Sequence, residues 1–382
     1  MMSEVTCDNV CKLEWRIFWS TIAASINISV AVLGLLLNSI GMFVLQKSKE
    51  TLLFKKLLIC LLAFDSGVLV TTIMGAVHSL EVRSVVLVYL FPYFIHPFFY
   101  ICVECSICTT VVITYERYKA LKDPIIYRNT NICPSHQKNM LKRHLGISIA
   151  VSCIYNIVRF FEYKVEYVPD HIYNIYLSQH QVILSPHPSI EHEGKDGKWN
   201  SIVQQQGLYH NSSFRTAIAI TDSIVLGLLP LLSLIYFNIT IYKTVKKERK
   251  IVSRIIEVPL NPKYPINKNS NGITNEDLKM AIVLMAIVGV FIFCYLFWLL
   301  HAIIYAIWSI RCNLHQVLKD DFCKVQDEGW YLFFDYGGRI LITLNSSVNV
   351  LLYGTIRKNF RRKTKEVLSE SWKTLTINLS FH

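Results

Sequence analysis

Along most of this chain, apolar residues do not alternate with polar ones at the two- or 3.6-residue repeat of a soluble fold. They run in long blocks separated by short polar and basic stretches. A hydrocarbon layer about 30 Å thick needs roughly 20 apolar residues in helical form to cross it. Seven stretches meet or approach that length: Trp19–Leu45, Leu57–Leu80, Val85–Tyr115, Leu145–Phe161, Ala217–Tyr242, Met280–Ile310 and Gly329–Tyr353. The first and the sixth contain no Asp, Glu, Lys or Arg; the fourth is short and reaches bilayer length only if it starts near Lys142. Lipid offers no hydrogen-bond partner to a backbone, so isolated apolar spans must be helices. The pattern predicts an all-α membrane protein, a seven-transmembrane helix bundle.

Composition agrees, with 52% hydrophobic and 17% charged residues. The net charge of +12 would suggest nucleic acid if it were spread over a soluble surface, but its distribution argues otherwise. With the N-terminus outside, the inner segments are 46–56, 117–143, 243–279 and 357–382, and these hold 27 of the 39 Lys and Arg. Short loops rich in Lys and Arg stay in the cytoplasm, which predicts N-out and C-in. The basic excess is thus a topology signal, with attraction to anionic inner-leaflet lipid second and no nucleic-acid partner. The opening residues, MMSEVTCDNVCKLEW, have neither a basic n-region nor an apolar h-region, so the first span is expected to act as its own insertion signal. The expected organisation is an extracellular N-terminus (1–18), a seven-helix domain (19–353), an amphipathic juxtamembrane helix (354–366) and a cytoplasmic tail (367–382).

On that topology Cys7, Cys11, Cys312 and Cys323 fall on the oxidising side, and four cysteines allow three pairings. Asn211, in Asn-Ser-Ser, is the extracellular glycosylation candidate. The long outer loop, about 163–213, opens with Tyr163-Lys-Val-Glu-Tyr-Val168, which suits a strand of a hairpin lid. The Pro186-His-Pro188 and Gly194–Gly197 stretches are expected to break it. The five histidines of this loop are irregularly spaced and read as solvated side chains, not as a metal site. After the last span, Ile356 and Phe360 stand four residues apart among basic residues, the pattern of a short amphipathic helix on the inner leaflet.

An ionisable group at mid-bilayer costs roughly 2.5–3.5 kcal/mol on insertion scales, so each one asks for a reason. Asp65 is isolated in the second span; Ser106 lies in the third, Asn38 in the first, and Asn345, Ser346 and Asn349 crowd the seventh. If these faces converge, Asp65 is solvated by amides and hydroxyls, by water, or by a small cation; a hydrogen-bond network that only aids packing is the alternative. Glu104, Asp222, His301, Asp335 and Arg339 occupy outer or middle thirds of their spans and are the ligand-contact candidates. Asp335 and Arg339 are four residues apart and can equally neutralise one another.

At the inner end of the third span stands Glu116-Arg117-Tyr118, followed by Pro124 and Tyr127. With Asn38, Asp65, Pro230, Phe291-Ile-Phe-Cys294 and Asn345-Ser-Ser-Val-Asn349-Val-Leu-Leu-Tyr353, it resembles the ordered motifs of rhodopsin-like (class A) G-protein-coupled receptors over about 19–366. Arg159-Phe-Phe-Glu162 and Pro230-Leu-Leu-Ser-Leu-Ile-Tyr-Phe-Asn238 are similar to the FMRFamide-type neuropeptide receptors of invertebrates.

The resemblance implies a multi-pass plasma-membrane receptor for an extracellular, amidated peptide, acting through a heterotrimeric G protein and in some cases arrestin. It implies that Arg117 pairs with Glu116 at rest, that Asp277 is its second partner, and that Tyr118, Leu121, Ile125, Asn349 and Tyr353 belong to the coupling surface and switch. It also implies an allosteric sodium ion among Asp65, Ser106, Asn345 and Ser346, and a ligand arginine meeting an acid such as Asp222. In the last two spans three positions depart from the family: Val350 replaces the seventh-span proline, Tyr295 the sixth-span tryptophan and Phe297 the sixth-span proline. Less kink is therefore built into the last two spans. Pro92 stands where most relatives carry a cysteine, so the usual disulfide to the long outer loop cannot form.

A retinal protein would need a lysine in Gly329–Tyr353, and there is none. A transporter would show internal repeats and broken helices, and no enzyme constellation is present. The nearest rival is a chemosensory seven-helix receptor for a small odorant.

Overall fold

The computed structural model describes residues 2–47, 52–80, 85–130, 133–169, 192–194, 197–205, 212–257, 275–317, 329–356, 361–362, 364–366 and 369. Helix α1 is Met2–Gln46 and α2 is Leu52–Ser79. Helix α3 (85–122) joins Val85–Leu90, a π-helical turn at Phe91–Ile95, and His96–Lys122. The short α4 is Pro124–Thr130, and α5 is Pro134–Tyr155, closed by a 3-10 turn at Asn156–Phe161. Helix α6 (212–257) comprises Ser212–Asp222, a π-turn at Ser223–Leu228 and Leu229–Glu257. Helices α7, Asn275–Val317, and α8, Gly329–Ile356, complete the bundle.

Among the described residues six helices are long and apolar enough to cross a membrane: Ile17–Gln46, Leu52–Ser79, Val86–Lys122, Pro134–Phe161, Thr216–Lys247 and Met285–Ile304. Their burial is the reverse of a soluble protein's. Large apolar side chains point outward from nearly every helix, as Ile154 does at 73% exposure, while Asn38, Asp65, Thr114, Ser152 and Asn156 are fully enclosed. Such a surface is stable only against hydrocarbon, and the chain is a multi-pass membrane protein.

The helices close into a ring with α3 running through it. α1 lies along α2 and α8, α7 along α6 and α8, and α3 meets α2, α5 and α6. One apolar core gathers Phe54, Leu57, Leu61, Ile113, Ile287 and Val350. A second, around Val68, Ile107, Leu234, Phe291 and Tyr295, fills the middle, where Phe291 stacks on Tyr295 at 4.2 Å.

Several expected boundaries shift. The helix of the first span extends back to Met2, through the segment expected as a separate N-terminus, and the fourth begins at Pro134, where a proline at N1 sacrifices no intrahelical bond. The outer-loop strand is present as β1, Tyr163–Pro169, antiparallel to β3, Gly197–Gln205. The Gly194–Gly197 stretch does not break the sheet: β2, His192–Gly194, pairs with β3 and ends in the register Gly194↔Gly197. Of the expected amphipathic helix, 361–362 and 364–366 are helical, with Arg362 3.8 Å from Glu366; Phe360 lies outside the described residues.

Distortion follows the prolines that are present. The π-turn of α6 stands immediately before Pro230, which lacks an N–H and crowds the carbonyl one turn back; that of α3 contains Pro92 and precedes Pro97. Helix α7, with Tyr295 and Phe297 where prolines or tryptophan were expected, is continuous α-helix over 43 residues, and α8 over 28.

Glycine lets α1 approach α8. A Cβ on Gly41 would sit 2.4 Å from Val350 Cγ2, and one on Gly34, two turns earlier on the same face, 2.2 Å from Ser347 Oγ. Small residues at such crossings allow backbones to touch. Gly41→Leu is expected to lower thermal stability in detergent by about 1–3 kcal/mol, the usual range for overpacking. Gly75→Ala, at a position with nothing within 4 Å, should leave it unchanged or slightly raised.

Candidate functional site

Three polar clusters are strung along α3. The middle one centres on Asp65, which is enclosed completely between α2, α3 and α8. Ser106 Oγ donates to one carboxylate oxygen at 2.7 Å, and Asn349 Nδ2 to the other at 2.7 Å; the Ser346 hydroxyl also bonds Asp65. Asn38 ties α1 in by donating to the Ser346 carbonyl at 3.1 Å, while its own Oδ1 is buried without a partner. A polar seam continues along α1 and α8, where Thr343 donates to Asn27 Oδ1 at 3.0 Å. Asn345 is buried nearby but is not among the carboxylate's partners. Asn349, grouped by sequence with the switch residues, is one.

The partners of Asp65 are neutral. A carboxylate and two hydroxyls are hard oxygen ligands of the kind a small hard cation prefers. Among the described residues no cluster of three His, Cys, Asp or Glu could hold a metal, so any ion here relies on this single carboxylate and neutral oxygens.

The cluster at the other end of α5 centres on Arg159, which sequence reading had named only as part of a family-like motif. Its position on the 3-10 turn sends the guanidinium into the bundle, where it is 5% exposed. One nitrogen bonds Glu162 at 3.1 Å and another bonds Asp222 of α6, and the guanidinium plane lies 4.5 Å from the Tyr100 ring centre. Tyr155 donates to the second Asp222 oxygen at 2.8 Å. Asn156 donates to Glu104 at 2.5 Å, and His96 Nε2 is 3.9 Å from Glu162. The signal that could have located Arg159 was arithmetical: Glu104, Glu162 and Asp222 lie in or beside the third, fourth and fifth spans, where an arginine is the needed counter-charge.

This geometry revises the ligand-contact candidates. Asp222 is committed to Arg159 and Tyr155, so it is not the unpaired acid expected for a ligand arginine. Glu104 is buried and engaged by Asn156. Asp335 and Arg339 pair with each other at 3.1 Å. His301 is partly buried on α7.

The third cluster lies at the Glu116-Arg117-Tyr118 end of α3. Glu116 is 2% exposed and faces His144 Nε2 at 3.3 Å and Lys119 Nζ at 3.7 Å. The expected Glu116–Arg117 pair is therefore corrected. Adjacent helical residues point about 100° apart; Glu116 turns toward α5, while Arg117 turns toward α2 and lays its guanidinium 3.3 Å from the centre of the Phe54 ring. Tyr118 packs on Phe237. Leu121, expected on a partner-facing surface, is instead buried against Ile241 and Val245 of α6, whereas Ile125 is 52% exposed. Asp277 lies in α7 and Tyr353 in α8, with side chains outside the described residues, as are those of Cys7, Cys11 and Cys312; Cys323 and Asn211 also lie outside them.

Comparison with protein-family models and with curated proteins finds no match.

Removing one member of a buried ion pair typically costs about 3–5 kcal/mol, because the other charge is left uncompensated. Arg159→Met is expected to destabilise the folded protein on that scale in a thermal-shift measurement. Arg159→Met combined with Asp222→Asn should recover a substantial part of the loss. No recovery would mean that the Asp222 pair is not the source of Arg159's contribution.

Proposed function

We propose that this protein is a rhodopsin-like G-protein-coupled receptor of the plasma membrane, with α8 as its seventh span, its N-terminus outside, and an amidated peptide as its extracellular ligand. The observation that carries the reading is the hydrogen-bonded centre in which Asp65 joins Ser106 of α3 to Asn349 of α8. It links the helix bearing Glu116 and Arg117 to the helix bearing the last motif, at mid-depth, as a device relaying motion from one membrane face to the other requires.

In this reading a ligand acts only through its preference for one arrangement of the helices. The outer face is the Arg159 end, where Glu104, Asp222 and Glu162 outnumber the arginine that joins two of them. The surplus acid suits a basic peptide, with Glu104, which is engaged by the neutral Asn156, in place of Asp222 as the group that meets it. At the inner face, the resting state holds Glu116 on His144 and Lys119 and Arg117 against Phe54. Activation moves α7 away, turns Arg117 toward the space opened, and exposes a groove whose rim carries Ile125; Asp277 is the α7 acid placed to restrain that movement. Thr364, Ser369, Ser371, Thr374 and Thr376 supply phosphate acceptors for arrestin.

Nucleotide exchange on purified G proteins, with the reconstituted receptor and a panel of amidated peptides or small volatiles, tests the assignment. Exchange stimulated by an Arg-containing amidated peptide is expected, and Glu104→Gln should weaken it by about tenfold or more, as for loss of a charged hydrogen bond. Stimulation by volatiles alone would make this a chemosensory receptor, and no stimulation by either would count against the reading.

Sodium gives a second test. If Asp65, Ser106 and Ser346 hold the ion, raising sodium at constant ionic strength should weaken agonist binding in the native receptor, whereas Asp65→Asn should be insensitive. Equal sodium sensitivity in both would remove the ion from this site.

A further inference from the structure

A cavity of about 430 Å³ opens where α3, α4 and α5 meet, at the Glu116 end of the bundle. Its volume falls within the range of small-molecule sites, about 300–1,000 Å³. Lys119 of α3 and Arg143 and His136 of α5 line it, with Asn139 as an amide and Asp123 as the one carboxylate; Ile126 forms an apolar edge.

The face of α5 that builds this cavity continues into the membrane. His136, Asn139 and Arg143 recur at helical spacing, and Ile147, Val151 and Ile154 follow on the same stripe. These three are 58%, 46% and 73% exposed, so they face hydrocarbon. One helix face thus presents cations and hydrogen-bond donors at the boundary and an apolar track running inward from it. A free phosphate would use only the first part; a phospholipid uses both.

We propose that this cavity binds the headgroup of an anionic phospholipid, with its acyl chain along Ile147, Val151 and Ile154. Arg143, exposed at the rim, meets the phosphodiester in a fork of two donors, and Lys119 supplies the second charge. Lys119 also faces Glu116 at 3.7 Å, so headgroup and Glu116 share one ammonium. The site requires only that the chain crosses a bilayer, and it stands apart from the receptor assignment.

Native mass spectrometry of the full-length protein in uncharged detergent tests this, titrated with phosphatidylserine or with phosphatidylcholine of the same acyl chains. Phosphatidylserine should be retained in preference. Arg143→Gln should weaken that retention about fivefold, the worth of one cation near an anionic headgroup, and Lys119→Gln by a similar factor. Arg143 is exposed, so its variant should fold normally, and Lys246→Gln on α6 should bind as the native chain does. Equal retention of the two lipids, undiminished retention by Arg143→Gln, or displacement by glycerophosphoserine at the lipid's own concentration would overturn the proposal; the last would make this a site for a soluble phosphodiester.

Discussion

A charge carried into hydrocarbon has to be answered from within the bundle, because lipid supplies neither counter-ion nor hydrogen bond. In this protein that obligation organises the contacts of α3. At one level Glu104 is answered by Asn156; at the next Ser106 answers Asp65; at the last Glu116 is answered by His144 and Lys119. The first and last of these contacts reach α5 and its closing turn and the middle one reaches α2, so the central helix is held by polar bonds to two neighbours at separate depths. The apolar residues between them, such as Ile107 and Ile113, supply packing without direction.

Arg159 extends the same logic between α5 and α6, joining the end of one to the other through Asp222. The arginine lies on a 3-10 turn, where the chain has left the regular α repeat, and the tighter winding carries its side chain inward to Asp222. A continued α-helix would have placed residue 159 at a different angle. Local backbone geometry and a long-range ion pair therefore depend on one another. The three-stranded sheet seats above this region, with Tyr163 of β1 packed against Val88 and Phe91 of α3.

Deformation is placed similarly. Helices α3 and α6 carry π-turns beside Pro92, Pro97 and Pro230, while α7 and α8 run unbroken. The α1–α8 seam instead gains its closeness from Gly34 and Gly41, with Val350 filling the space at the second. Neither α7 nor α8 contains a proline, so neither carries a hinge of that kind.

Block length and the near-absence of charge sufficed to read six membrane-crossing helices from sequence, because spanning is a one-dimensional requirement on consecutive residues. The isolation of Asp65 within its span likewise marked it for an internal partner, and Asn38, Ser106 and Ser346 do gather around it or its neighbours. Pairing was another matter. Glu116 and Arg117 are adjacent in sequence yet face different helices; Asp222 looked available and is held by an arginine 63 residues away; Leu121 looked like surface and lies under α6. A turn of about 100° per residue makes the direction of a side chain depend on small shifts in winding and crossing that no local pattern records. Which residues enter the bilayer was thus a property of the sequence alone, and which of them answer one another was decided only when the helix faces met.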